Sequence, residues 1–217
     1  MPDTAPAKRT RRKEARPGEL LQAALDLFVE KGYAGTSVEE VARRAGVSKG
    51  TLFLYFSSKE ELFKAVVRAN ISGLFTQWNA EMDQFTGSTA DLVRHSLQQW
   101  WDRMGTTQAS GITKLVMTES ATFPEIANFY SQEVIEPGNQ LIRRLLQRGV
   151  DRGEFQAVDP NYGIYAMIAP MIFLVMWKHA MSPCCGPGTE LDPLTFVNTQ
   201  ADLLLNGLLV RPAHAAA

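Results

Sequence analysis

The chain has 217 residues, of which 45% are hydrophobic and 21% are charged, and its formal net charge is −1. These are the proportions of an ordinary globular protein, so they exclude a wholly disordered chain. The two cysteines, Cys184 and Cys185, are adjacent, which excludes a disulfide-stapled scaffold and gives no metal-ligand spacing. The basic N-terminus lacks the apolar segment of a secretory signal, and we expect the reducing cytoplasm as the compartment.

The charge is divided unevenly along the chain. Residues 1–68 carry 13 basic and 9 acidic side chains, whereas residues 69–217 carry 9 basic and 14 acidic ones. A positive head on a negative body is typical of a protein that binds a polyanion through one end. Six basic residues lie in a predicted disordered arm over residues 1–16, which either contacts nucleic acid or is only solvated: Lys8, Arg9, Arg11, Arg12, Lys13 and Arg16.

Apolar residues recur at helical spacing along almost the whole chain, and no strand-like alternation is sustained. Glycine stops and serine or threonine caps predict three helices near the N-terminus, over 17–31, 37–45 and 48–55. Longer helices are predicted over 59–85, 89–104, 108–121, 124–152, 160–180 and 191–209. The helix over 124–152 contains Pro137-Gly138, where a kink or split is expected. The pattern therefore predicts an all-α fold, with a frayed tail over 212–217.

Residues 37–56, SVEEVARRAGVSKGTLFLYF, have the spacing of a helix-turn-helix. Ala42 is the small residue at the crossing of two helices, and Gly46, four residues later, supplies a left-handed turn without a Cβ clash. Apolar residues close the inner side of both helices: Val38, Val41, Ala45, Val47 and Leu52. In such motifs the N-terminal turn of the second helix enters a DNA major groove.

The residue types on this second helix suit contacts with DNA. Lys49 can reach a guanine edge or a phosphate, Thr51 can bond either, and Gly50 lets the backbone approach closely. The start of the next helix adds a cation for phosphate. The predicted DNA-contacting set is Thr36, Ser37, Ser48, Lys49, Gly50, Thr51, Phe53, Leu54, Tyr55 and Lys59. The alternative is a helical hairpin in which the lysines are only solvated.

The segment from about 17 to 68 resembles the TetR (AcrR-like) family of transcriptional regulators. The residues that carry the resemblance are 32–38, 40–42, 45–53, 55–56 and 58–62. One departure is Phe53, where the family commonly has tyrosine, so its ring has no hydroxyl for a phosphate. A weaker likeness to C-terminal domains of the same family extends over residues 115–125 and 152–153.

The resemblance implies an N-terminal three-helix helix-turn-helix DNA-binding domain plus a larger C-terminal helical ligand-binding and dimerisation domain, over 17–62 and 63–211. It also implies a ligand-responsive regulator, usually a repressor, that binds a palindromic site on double-stranded DNA as a homodimer. A small-molecule effector would release it from DNA. The last two long helices would form the dimer's four-helix bundle.

Aromatic and methionine side chains of the middle helices suit an apolar or aromatic effector, although each could equally be ordinary core. The predicted pocket residues are Phe75, Trp78, Met82, Trp100, Trp101, Met104, Met117, Phe123 and Tyr130. Apolar stripes on the last two helices predict a dimer interface, or else a monomeric core. The predicted interface residues are Ile168, Ile172, Val175, Val197, Ala201, Leu204 and Leu208.

Three other classes of protein compete with this interpretation. An enzyme is disfavoured, because the sequence shows no phosphate-binding loop, zinc spacing or nucleophile elbow, so we expect no catalytic residue, cofactor or metal. A DNA-associated adaptor would use the same head but respond to a protein partner. A membrane-tethered protein would use residues 160–177, which hold no charge, but Asn161 and Pro170 favour a buried helix, and we expect no membrane contact.

Overall fold

The computed structural model describes residues 16–186 and 191–210, and these form a helical protein without strands. The predicted basic arm lies outside the described residues except for Arg16, where the first helix begins, and the predicted frayed tail lies wholly outside them. The α-helices are α1 (Arg16–Lys31), α2 (Val38–Arg44), α3 (Lys49–Phe53), α4 (Lys59–Val67), α5 (Leu74–Gln84), α6 (Thr89–Trp100), α7 (Ser110–Glu119), α8 (Pro124–Tyr130), α9 (Glu136–Asp151), α10 (Pro160–Met176) and α11 (Pro193–Leu208).

Short π-helical turns extend or join several of these helices, at Arg68–Ser72, Trp101–Gly105, Ser131–Ile135 and Trp177–Met181. The predicted helix over 124–152 is therefore two α-helices joined by a π turn. Pro137 lies in the first turn of α9, directly after that turn. A proline has no backbone N–H to contribute, so it is best accommodated where the hydrogen-bond ladder is already interrupted.

Serine caps determine where the helices begin in the head, which is the predicted DNA-binding domain over residues 17–62; the helices that follow form the body. The Ser37 hydroxyl accepts from the Glu40 amide, and the Glu40 side chain reaches back to the Ser37 amide, which completes a capping box. Ser48 and Ser58 cap α3 and α4 by accepting the backbone amides of Thr51 and Glu61. Because each cap satisfies an otherwise unpaired amide, these serines place the helix starts where the sequence predicts them.

A first hydrophobic core joins α1–α4 to α7 and α8. Phe28 of α1 and Phe63 of α4 are fully buried and meet edge to face, with ring centroids 5.4 Å apart. Ile112 of α7 and Ile126 of α8 are fully buried in the same core. The head therefore packs directly on the body, and the predicted domain boundary between residues 62 and 63 stays a prediction.

A second core lies among α6, α9, α10 and α11. Among the residues that the structure describes, one helical stretch is long and apolar enough to cross a membrane, Pro160–Cys184, which includes α10. Only 28% of its most apolar window is buried within the chain. A helix that is apolar on all sides needs a second covering surface, which the described residues do not supply.

Candidate functional site: a helix-turn-helix and a cavity

The helix-turn-helix forms as its spacing predicts. Gly46 has a φ of +68°, in the left-handed region, and so allows the chain to reverse between α2 and α3. The Val47 amide donates to the Ala42 carbonyl at 2.9 Å, which closes the turn. Ala42 and Leu52 are buried where the two helices cross. These contacts fix the orientation of α3 relative to α2.

The outer side of α3 is open to solvent. Lys49 and Gly50 are exposed at its first turn, and Lys49 pairs with Glu39 of α2. That pairing lowers the pKa of the Glu39 carboxyl. An exposed ion pair adds little stability, so Lys49 can exchange this partner for a DNA phosphate or base. Leu54, which is 82% exposed, continues this apolar and cationic surface.

Two predicted DNA-contacting side chains make hydrogen bonds inside the head; the prediction is wrong for the buried Thr36 and stays a prediction for Lys59, which is half-buried. Thr36 is buried, and its Oγ1 lies 2.7 Å from the Gly32 carbonyl oxygen and 3.1 Å from that of Leu27. The Lys59 ammonium donates to the carbonyl oxygens of Tyr33 and Thr36, at 2.8 and 3.1 Å. Thr36 thus satisfies the carbonyl group of Gly32, just past the end of α1, and Lys59 satisfies two carbonyl groups of the turn that follows.

The other predicted contacts remain accessible in varying degree. Ser37 and Ser48 act as helix caps, and the Thr51 hydroxyl lies 2.9 Å from that of Ser48. Phe53 and Tyr55 are exposed beside Leu54. Their contact with DNA stays a prediction.

Sequence reasoning missed Arg43, whose side chain on α2 is 80% exposed. Its nearest carboxylate oxygen, on Glu40, lies 3.9 Å away, so the guanidinium is held only weakly. The neighbouring Arg44 instead makes a two-pronged ion pair with Glu30 of α1. The adjacent arginines look alike in the sequence, and only helix packing distinguishes the structural arginine from the available one.

A cavity of about 480 Å³ lies in the body, enclosed by helices α5 to α10. Seven of the predicted pocket residues line it: Phe75, Trp78, Met82, Trp100, Met104, Met117 and Tyr130. Its size falls within the range of small-molecule sites, and its wall is overwhelmingly apolar. Sequence reasoning missed the contribution of α9, whose Leu141, Ile142 and Asn139 complete the wall.

The pocket prediction is wrong for two aromatic residues. Trp101 is buried in the second core, where its ring covers Gly105. Phe123 packs edge to face on Tyr33 of the head, with ring centroids 4.9 Å apart. Conversely, Ile168 and Ile172, predicted for the dimer interface, line the cavity. Neighbouring positions on a helix differ in direction by about 100°, so a small error in the assumed orientation reassigns an aromatic residue from cavity to core.

The polar groups are a minority of the cavity lining. The Thr113 and Tyr130 hydroxyl groups lie 3.0 Å apart, and burial raises the pKa of Tyr130 to about 12. Glu81 accepts a hydrogen bond from Arg103 at 2.7 Å. The described lining includes the carboxylate of Glu81 but no lysine or arginine. An anionic ligand would therefore meet no lysine or arginine in the described part of the wall.

The predicted dimer residues face inward. Val175, Val197, Ala201 and Leu208 are buried within one chain, and Leu204 packs against the same second core. The interface prediction is therefore wrong for the four buried residues and stays a prediction for Leu204, which is half-buried. The apolar stripes that the sequence shows are the inner sides of α10 and α11, because periodicity identifies an apolar face without telling which partner covers it.

The outer sides of the same two helices are also apolar. Leu203 of α11 is 64% exposed, and Phe173 of α10 is 50% exposed and stacks on Phe196 of α11. Tyr162 and Tyr165 continue the exposed face along α10. We call this surface, formed by Tyr162, Tyr165, Phe173 and Leu203, the outer α10–α11 face. Exposed large apolar side chains of this kind are typical of a protein–protein contact.

The exposed second helix behind a glycine turn, carried on a helical body with an apolar cavity, defines a helix-turn-helix DNA-binding protein. Residues 20–66 match the bacterial regulatory proteins of the tetR family, and residues 84–183 match a tetracyclin repressor-like C-terminal domain. The chain belongs to the TetR family. It is therefore a transcriptional regulator with a DNA-binding head and a ligand-binding C-terminal domain.

Individual relatives agree with this assignment. The chain is 30% identical over 149 residues to the uncharacterized HTH-type transcriptional regulator YfiR of Bacillus subtilis, covering 68% of this chain and 72% of YfiR. It is 41% identical over 176 residues to the regulator RutR of Escherichia coli, covering 75% and 74%. The crystal structure of the regulator FadR from Bacillus subtilis, in complex with stearoyl-CoA, has a TM-score of 0.71 at 17% identity, covering 88% of this chain and 98% of FadR. At that identity the likeness to FadR shows the fold alone.

Proposed function

We propose that this protein is a repressor that binds a palindromic operator as a homodimer and leaves it when a small, uncharged, apolar or aromatic effector enters the cavity. The observation that carries the proposal is the solvent-exposed first turn of α3, fixed against α2 by the Gly46 turn. Two such helices on a two-fold dimer would meet successive major grooves about 34 Å apart.

The cavity wall supports the choice of effector. Aromatic and methionine side chains give it a large, adaptable apolar surface. A charged head group would lose its hydration there, and Glu81 is already paired with Arg103. FadR, which shares the fold, was crystallised in complex with stearoyl-CoA, a ligand with a long apolar acyl chain on a charged coenzyme A group.

Replacing Lys49 with alanine tests the DNA-binding proposal. Duplexes selected from a random-sequence pool provide the specific target, and unselected duplexes provide the non-specific one. A base contact by Lys49 predicts a loss of about 1–3 kcal/mol in specific binding only, whereas a phosphate contact weakens both and reduces the salt slope by about one. Arg94→Ala is the matched control, because Arg94 is an exposed, ion-paired cation of the body. Equal affinities for Lys49→Ala and wild type would exclude the contact.

A pair of dyes that share one aromatic skeleton tests the effector class. N-phenyl-1-naphthylamine is uncharged, and 1-anilinonaphthalene-8-sulfonate adds one sulfonate. We expect the uncharged dye to bind at least tenfold more tightly, because the described wall offers the sulfonate no lysine or arginine. Fluorescence titration measures both affinities. Ile172→Trp, which adds an indole to the cavity wall, should weaken the uncharged dye, and tighter binding of the sulfonate would contradict the proposed class.

A further inference from the structure

A single carboxylate of the body accepts two hydrogen bonds from the turn that leads into the helix-turn-helix. Glu119, the last residue of α7, accepts the backbone N–H of Tyr33 through Oε1 and that of Ala34 through Oε2, both at 2.8 Å. Gly32 has a φ of +78°, and a Cβ at that position would overlap Oε1 of Glu119. The glycine thus gives the turn its shape and leaves room for the carboxylate.

The opposite side of the same turn is held by a cation. Lys59 donates to the carbonyl oxygens of Tyr33 and Thr36, and its ammonium lies 4.3 Å from the centre of the Tyr33 ring. Burial lowers the pKa of Lys59, and the nearby Glu119 charge partly offsets that effect. The peptide groups of residues 33–36 are therefore held between Glu119 on their N–H side and Lys59 on their carbonyl side. Ser37, the next residue, caps α2.

The helix that carries Glu119 is also a wall of the cavity. Thr113, Val116 and Met117 of α7 line it, and Glu119 follows Met117 by about 3 Å along the helix axis. The α8 side adds a second contact to the turn, since Phe123 packs on the Tyr33 ring. A ligand that displaces α7 must therefore displace the carboxylate that holds the turn.

We infer that Glu119 is the positioning residue for the DNA-binding head: it holds the 32–36 turn in the orientation that DNA requires and transmits displacement of the cavity wall to that turn. The inference rests on the proposed function for its effect on DNA. The two hydrogen bonds that Glu119 accepts from the Tyr33 and Ala34 amides are observed in the structure and do not depend on that proposal. Hydrogen bonds to a charged acceptor are the strong ones, so two of them can determine the position of a short turn.

Amide hydrogen exchange of the full chain tests these two hydrogen bonds directly. Glu119→Gln keeps the size of the side chain but replaces one acceptor oxygen with a donor, and Glu125→Gln is the matched control. Glu125 is an exposed carboxylate of α8 whose charge reaches Tyr33, yet the two amides donate to Glu119. We expect exchange at Tyr33 and Ala34 at least tenfold faster in Glu119→Gln and unchanged in Glu125→Gln. Unchanged exchange in both variants would overturn the inference.

Two further measurements separate positioning from simple stabilisation. Glu119→Gln should weaken binding to a selected duplex about tenfold while its helical circular dichroism and its affinity for N-phenyl-1-naphthylamine stay at wild-type values. In the wild type, that dye should accelerate exchange at the two amides severalfold, which a merely structural contact would not show. The positioning role would be refuted if Glu119→Gln bound the duplex as tightly as the wild type does. It would also be refuted if the dye left the exchange rates of the two wild-type amides unchanged. If the wild type selects no duplex from the random-sequence pool, the proposed function fails. The exchange measurements still test whether Glu119 holds the two amides.

Discussion

Replacing Leu203 with glutamate is expected to convert the proposed homodimer to a monomer, weakening association at least a hundredfold. Leu203 is among the most exposed large apolar side chains of the outer α10–α11 face. In a two-fold contact the substitution would bury two unpaired carboxylates, and a buried charge without a partner costs about 3–5 kcal/mol. Sedimentation equilibrium over a range of concentrations measures the change, and binding to a two-half-site duplex should fall with it.

Leu54→Glu is the matched control for this experiment. Leu54 is as exposed and as apolar, but it lies at the end of α3 in the head. We expect this variant to remain a dimer and to lose DNA binding, because a carboxylate there would face phosphates. A Leu203→Glu protein that sediments as the wild type does would rule out the outer α10–α11 face as the dimer contact.

Replacing Gly50 with alanine is expected to stabilise the free protein and to weaken DNA binding at least tenfold. In the free protein a Cβ at Gly50 would meet only the Ser48 hydroxyl, at 3.8 Å, which is an ordinary contact. Alanine is favoured over glycine within a helix by about 0.5–1 kcal/mol, so unfolding should require more denaturant. The same Cβ would stand between the α3 backbone and the DNA surface, so affinity for a selected duplex should fall.

Gly46→Ala provides the contrast. Gly46 also has open space around its missing Cβ, but its φ is +68°. A left-handed residue with a Cβ costs about 1–2 kcal/mol, so this variant should be less stable than the wild type. Gly50→Ala with undiminished DNA affinity would show that the backbone of α3 does not approach DNA closely there.

The helices and the turn of the head could be predicted because their signals are local. Caps such as Ser37 with Glu40, and the stop at Gly46, act within a few residues of themselves, so the chain segment carries the whole physical cause. The π turns were not predicted. They depend on how consecutive helices are packed rather than on a residue type.

The predictions of site residues show the same difference between local signals and contacts made by the fold. Lys49 and Gly50 were placed on an exposed helix turn, as the motif implies. Thr36 and Lys59 were assigned to DNA because their types suit phosphate, but in the structure they donate to the backbone carbonyl groups of Gly32 and Tyr33. A residue type states which bonds a side chain can make, whereas the fold decides which acceptor is within reach.

What the sequence by itself determined is the all-helical fold, the helix-turn-helix and the apolar character of the body, because helical periodicity, caps and a left-handed glycine are properties of short segments. Only the tertiary structure decided the rest. It turned the apolar stripes of α10 and α11 inward, assigned Ile168 and Ile172 to the cavity, and brought Glu119 to the amides of a turn 85 residues earlier in the chain. The physical reason is that burial and contacts between distant segments depend on which helices pack together. No single helical segment specifies that packing.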